Sequence, residues 1–471
     1  MHRHRKPGLI HLNTDMSLLH RTTKPLYLLG LCTVLLTGAS AEEAKTNPLL
    51  TALSPTTISG YVSSSVGVTD VTANYLAPVG SEFLICGIQP GDQVYPSIAL
   101  TPDQGVITWE DNGIDKNGAG IGARRFLSST LTTSPTNIHV NLVAVGDQVT
   151  PQAVCLHTNK MTLFVWQSMA LATPDIYARL MKSNGLFASS DVRVNTYIKD
   201  AQSHPAAAAL ADGSAIIVWQ SAWQDGCPNG IFARKIGATG LMTPVREFEV
   251  NQFNDSYNAR PQRGNRRRPA VALLANGNFV VTWVSELQRT PTSVDIYGRI
   301  FSPTLTPVTD EFLINSSTST CADPAVVGLG DGGFTAAWSE RDLLTRTTNG
   351  WDVVARSFSS DGTAKGDQFV INTFRFGDQY IPKLAACPSG VMAVWTSMGQ
   401  DGSREGVFAQ FLLGGNQLAG PEIMVNTTRV SQQIQPVVSW NGVDRFLVVW
   451  SSFGATHGFD LYGQVYVVNS L

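Results

Sequence analysis

Pro269-Ala270-Val271-Ala272, a turn at Asn276-Gly277, then Phe279-Val280-Val281-Thr282-Trp283: this stretch is one copy of a unit that recurs along the chain. Short apolar runs end in tryptophan at Trp109, Trp166, Trp219, Trp283, Trp338, Trp395 and Trp450, spaced 57, 53, 64, 55, 57 and 55 residues apart. Repetition at such a period signals one small supersecondary unit, copied and stacked. Each copy opens at a proline (Pro96, Pro151, Pro205, Pro269, Pro324, Pro382, Pro436) followed by small residues such as Ala206 to Ala209. Proline is tolerated at the first residue of a strand, and small side chains suit a crowded innermost strand. Asp212-Gly213, Asn276-Gly277, Asp331-Gly332 and Asn441-Gly442 are hairpin turn dipeptides whose residues accept positive φ.

A third strand reads aliphatic, variable, small, then Arg or Gln, as in Ile176-Tyr177-Ala178-Arg179 and Val407-Phe408-Ala409-Gln410. Alternation of this kind sends successive side chains to opposite faces. A fourth strand ends in Val/Ile-Asn at Asn141, Asn195, Asn251, Asn315, Asn372 and Asn426. Only six such strands lie between the tryptophan units; a seventh, Glu82-Phe83-Leu84-Ile85-Cys86, precedes the first unit, and the chain ends after the seventh third strand. A displaced strand is how a closed ring hides its seam. The expected fold is therefore an all-β, seven-bladed propeller of four-stranded antiparallel blades over residues 79–471, its last blade completed by the N-terminal strand. An open solenoid, the alternative, has no use for that strand.

The N-terminal 1–41 reads as a signal peptide: Arg21 and Lys24 precede an apolar core from Leu26 to Leu36, and Ala39-Ser40-Ala41 supplies the cleavage residues. Met16 is an alternative start. Residues 42–78, rich in Ser and Thr, read as a linker. The apolar run is shorter than the roughly 20 residues that span a bilayer, and no later run is long enough. The expected location is outside the cell, in the periplasm or at the envelope. The net charge is −3, with five basic residues against one acidic residue in 1–41, which leaves about −7 on the rest and argues against nucleic acid as a partner. Five cysteines follow the signal, with no zinc-ligand spacing; Cys227 beside Pro228 reads as the exposed one and the others as buried small hydrophobes.

The combination of Val-Trp-Gln-Ser, Gln-Asp-Gly, Ile-Phe-Ala-Arg and Glu-Phe-x-Val-Asn, seen at Asp212 to Asn251 and again near Val394 to Gln410, resembles tandem repeats of large secreted bacterial hemolysin-type and adhesin-like proteins. The resemblance covers about residues 79–471 and implies a secreted propeller, with no shared activity attached. The chain lacks the nonapeptide arrays that bind calcium in many such proteins.

Chemistry is sought where the copies differ, because a residue present in every copy is architectural. The long irregular segments follow the second and fourth strands and so share one face. On it, Arg260, Arg263, Arg266, Arg267 and Arg268 sit where Asn251 and Pro269 stand 18 residues apart, against 9 or 10 in the other copies, and read as a basic insertion able to meet an anionic glycan or phosphate. Trp223 and Trp351 lie outside the tryptophan series as candidate ligand platforms. Glu110, Asp111, Asp115 and Asn117 could offer oxygens to Ca2+, without EF-hand spacing; no other cofactor is implied. Thr101 to Trp109 is similar to the Asp-box of sialidases but carries one extra residue, and His204 and His457 lack triad partners in sequence. The strand-three arginines are expected to pair with carboxylates or stack on aromatics between blades. The expected function is a monomeric recognition scaffold for an extracellular protein or glycan, without catalysis; the alternative is a sialidase-like glycan hydrolase or lyase with converging carboxylates at the channel mouth.

Overall fold

The computed structural model describes residues 75–469 apart from 116, 157–159, 240–245, 254–263, 342–349 and 455. The segment read as a signal peptide, most of that read as a linker, and Arg260 and Arg263 lie outside the described residues. Seven antiparallel sheets follow one another along the chain. Blade 1 spans 93–139, blade 2 148–193, blade 3 202–249, blade 4 266–313, blade 5 320–370 and blade 6 379–424. Blade 7 joins 433–468 to Leu76–Leu84, which pairs with Gly458–Val468 and places Phe83 opposite Gly463. The predicted displaced strand is therefore in place, and it starts at Leu76, inside the stretch read as linker. In blade 1 the fourth strand is split into Thr132–Thr133 and Ile138–His139, both on Gly120–Leu127. In blades 2 to 5 it is two residues long, as in Phe248–Glu249.

The innermost strands pack against one another in a cycle, and the strand of blade 7 meets that of blade 1. Between every pair of neighbouring blades lies one apolar layer, and each layer contains one of the seven tryptophans. Trp338, for example, fills the layer between blades 4 and 5 with Val280, Ile296, Ile314 and Phe334. All seven indoles are almost completely buried. Their N–H groups find partners unevenly: Trp109 donates to Asp111 at 3.0 Å, Trp219 to Gln202 at 2.9 Å and Trp338 to Glu340 at 2.9 Å, whereas Trp283 and Trp395 have none among the described residues. Shape and area, not the hydrogen bond, hold this position in all seven copies. The hairpin glycines Gly213, Gly277, Gly332 and Gly442 have φ between +80° and +88°, as their dipeptides require.

Trp338→Ala removes the centre of one layer and is expected to cost about 3–5 kcal/mol. The same change at Trp223, half exposed, is expected to stay within about 0.5 kcal/mol. Denaturant unfolding of the two variants beside the parent checks the contrast.

Candidate functional site at the channel mouth

The repeated polar residues are consumed in holding blades together. Each fourth-strand asparagine accepts the backbone N–H of the third strand, as Asn251 does from Ile231 at 2.6 Å and Asn426 from Val407 at 2.7 Å, and donates to a carbonyl two residues on. At the head of the fourth strand, an acidic residue or Gln accepts N–H groups from the preceding blade. Glu247 takes those of Thr196 and Tyr197 at 2.6 and 3.0 Å, Glu311 those of Gln252 and Phe253 at 3.0 and 3.1 Å, and Glu82 that of Thr427 at 2.7 Å. The Ser and Gln of the repeat lead to the same carboxylate: Ser285 donates to Gln288, which donates to Glu311, each at 2.6 Å.

The third-strand arginines also cross between blades, but their common partner is a backbone carbonyl, not a carboxylate as expected. Arg124 donates to Ile85 at 2.6 Å, Arg234 to Val194 at 2.6 Å, Arg299 to Val250 at 2.9 Å and Arg356 to Ile314 at 3.1 Å. Aromatic stacking occurs within the arginine's own blade and not between blades as expected, at Arg179, 3.6 Å above the Phe187 ring, and more loosely at Arg299 and Arg356; among the described residues, Arg179 alone of these arginines also nears a carboxylate, Asp191 at 3.9 Å. Where Gln replaces Arg, as at Gln410, it donates within its own blade instead.

A second sevenfold feature has no sequence signature. The residue before each inner-strand proline is left-handed: Tyr95, Thr150, His204, Arg268, Asp323, Ile381 and Gln435 have φ between +49° and +57°. Each sits in a bulge, where the register against the tryptophan strand slips. A residue preceding proline ordinarily adopts an extended conformation, and a β-branched residue such as Ile381 is strained at positive φ. The bulge is held from the neighbouring blade, whose residue after tryptophan accepts its N–H: Gln167 from His204 at 3.3 Å, Ser339 from Ile381 at 3.0 Å, Thr396 from Gln435 at 3.3 Å. Tyr95 instead donates to Gln435, at 2.8 Å. Because these residues lie in the first half of the innermost strands, they ring the channel toward the face that carries the long loops. The backbone is the same seven times and the side chains differ seven times.

Charge enters this ring at blades 4 to 6. Arg268 and Asp323 form an ion pair of 2.9 Å between adjacent blades, both about one-fifth exposed. Lys383, just after the blade 6 bulge, is exposed to solvent. Burial by the surrounding walls nevertheless pushes its ammonium below the usual lysine range, Asp323 opposing and Arg268 reinforcing the shift. Tyr380 beside it is driven upward by burial and then by Glu405, Asp378 and Asp323.

The sequence-derived candidates fall in several places. Arg266, Arg267 and Arg268 belong to the inner strand Arg266–Leu273 and not to the inserted loop. Arg266 is fully buried, donating to Gly264 at 3.0 Å and stacking 4.9 Å from the Phe253 ring. Arg267 is bound to Glu286 at 2.9 Å, so of the three only Arg268 reaches the ring. The strand runs further back than the proline suggested, which is why counting to Pro269 misplaced them. Trp223 is half exposed at the tip of a blade 3 loop, with φ +57°. Trp351 is half-buried, its N–H and carbonyl tied to Asp378 and Gln379 at 3.0 and 2.7 Å, which anchors the start of the strand Asp352–Phe358.

Asp111 is occupied by Trp109 and by the Gly113 N–H at 2.9 Å, while Asp115 accepts from Asn117 at 3.2 Å and Asn141 at 3.4 Å. No group of three or more possible metal ligands occurs among the described residues. Cys227 is buried rather than exposed, and Cys387 is the half-buried one. Burial pushes the Cys86 thiol up to about 11 and the Cys155 thiol up to about 12.

The chain matches no protein-family model and no curated protein. Among solved structures it resembles a protein of unknown function from Dyadobacter fermentans, with TM-score 0.50 and 10% identity over 84% of this chain and all of that one. It also resembles polysaccharide lyase Uly1, with TM-score 0.52 and 9% identity over 81% of this chain and 91% of that one. At this level of identity the likeness is one of fold alone.

Arg266 occupies the slot that holds Gln93, Gln148, Gln202, Gln379 and Gln433 in other blades, and near it Glu249 is pushed up to about 7, by burial first and then by Asp225, with Asn251 and Arg266 opposing. The unfolded carboxyl titrates near 4.5, so between these values the folded protein holds the extra proton and stability declines as pH rises. Above about 7 the decline levels off. Glu249→Gln, which keeps the oxygen that accepts from Asn251, is expected to flatten that slope in thermal melts across the window.

Proposed function

We propose that this chain is an exported recognition propeller that binds a glycan at the channel mouth of its long-loop face. The observation that carries this reading is the pre-proline ring: seven non-equivalent side chains displayed on one strained and repeated backbone geometry. The other repeated polar groups are spent on backbone groups of neighbouring blades, so the ring is where the copies are free to differ. Its phenol, imidazole, guanidinium, carboxylate, hydroxyl and amide groups are those that grip hydroxyl-rich ligands, and a rigid frame lowers the ordering cost of binding. The resemblance to repeats of secreted bacterial proteins and the signal-like pattern of residues 1–41 support a location outside the cell or at the envelope.

Cleavage of the bound glycan is the second reading. It is favoured by the gathering of Tyr95, His204, Asp323 and Lys383, four groups able to give or take a proton, on the inner strands. Against a paired-carboxylate mechanism, Asp323 is engaged by Arg268, and the acidic residues heading the fourth strands are engaged by backbone N–H groups.

A glycan panel presented to the full-length exported protein, followed by calorimetry on the best binder, tests the reading. Tyr95→Ala and His204→Ala are each expected to weaken affinity by about tenfold or more, a loss of about 1.4 kcal/mol. Val443→Ser, on the opposite face, is expected to leave affinity unchanged. Equal affinities in all three at unchanged melting temperatures would remove the channel mouth as the site, and new reducing or unsaturated ends would establish cleavage.

A further inference from the structure

We infer that the sector of the channel between blades 4 and 6 seats an anionic substituent of the ligand, a carboxylate or a sulfate ester, on the ammonium of Lys383. The inference deepens the glycan reading and rests on it. The position after the inner-strand proline is Ser97, Gln152, Ala206, Ala270, Ala325, Lys383 and Val437 around the ring. Six of these are buried or half-buried, and Lys383 alone is exposed. Four of the other six residues at this position are Ser or Ala, so a long cationic side chain there, on a strand packed between those of Ala325 and Val437, departs from the packing rule without serving it.

Its charge is also uncompensated. Lys383 makes no hydrogen bond or ion pair among the described residues, and the acid that it feels most, Asp323, is already bound to Arg268 at 2.9 Å. The three groups together carry one net positive charge in a confined space where burial penalises it. Asp378 and Glu405, which with burial drive the Tyr380 phenol upward, are engaged by the Trp351 N–H and by Gln432, and Asp323 is the acid that acts on Lys383. A cation held without a partner in a desolvated wall gains more from an incoming anion than one in open water, because the interaction is screened less. Arg268, held in place by Asp323, flanks the same sector and adds attraction without needing to move.

The test compares three probes at fixed ionic strength with the full-length protein: oligogalacturonate, its fully methyl-esterified form and inorganic sulfate. Parent, Lys383→Met and Lys383→Arg are measured by calorimetry, and the lysine amines, carrying 13C-methyl labels, are followed through pH titration. The expected result is that the acidic oligomer, or sulfate, binds the parent about tenfold or more tighter than it binds Lys383→Met, that Lys383→Arg restores binding, and that the Lys383 amine titrates at higher pH when the probe is present.

Equal binding of the acidic and esterified oligomers by the parent would overturn the anion site while leaving glycan recognition standing. Sulfate binding that depends on Lys383, with no oligosaccharide or glycan-panel binding, would uphold the anion site and overturn the glycan reading. An affinity for every anion that is indifferent to Lys383→Met, in a protein whose melting temperature is unchanged, would overturn the inference outright.

Discussion

A carboxylate or amide at the head of a fourth strand, accepting backbone N–H groups of the blade before it, is the contact on which the ring depends. Apolar layers attract neighbouring sheets but are non-directional and tolerate a range of angles. Closing seven sheets into a ring needs one angle, repeated. Asp191, Glu247, Glu311, Gln368, Glu422 and Glu82 supply it at the six junctions from blades 1–2 to blades 6–7, each gripping a turn whose own asparagine is fixed to its sheet. The third-strand arginines add a second strut that ends on a carbonyl, so blade order is written largely in side chain to backbone bonds. Such bonds do not depend on what side chain the neighbour carries, which leaves the loops free to diverge.

The bulge before each inner proline follows from the same constraint. Strands that converge on an axis must turn into the channel abruptly, and one left-handed residue provides the turn. Its cost is local strain, offset by an acceptor from the adjacent blade and by the packing of the proline behind it. Once the backbone geometry is fixed by neighbours, the bulge places no single demand on the identity of the side chain. That is why residues as unlike as Ile381, Asp323 and Tyr95 occupy equivalent places, and why function is to be sought there.

The fold was legible because its determinants are local and periodic. Tryptophan, small residues after proline, turn dipeptides and an unmatched first strand suffice to count blades and close them. The candidate site was legible only in the rule that exceptions matter. Left-handed backbone before proline runs against the local preference that sequence reasoning relies on, so the ring could not be seen. Arg266 to Arg268 were placed on a loop because proline marked the strand start, whereas pairing extends three residues further back, to Arg266 opposite Ser285. Lys383 was visible as the one long charged residue after a proline, a signal that comparison of the copies would have yielded. Cys227 was misjudged because the tight turn formed by Trp223 and Gly226 folds the loop over its own thiol.

Leu76 lies opposite Val468, the earliest and latest strands of the ring sharing one sheet. During synthesis, six blades can assemble in order as they emerge, but the seventh has to wait for a partner made almost four hundred residues later. Until then the apolar flanks of blades 1 and 6 face open water, and the growing arc is exposed to wrong pairings that a helical chain of the same length would escape. The clasp that closes the finished ring is thus also the step at which its birth is most easily derailed.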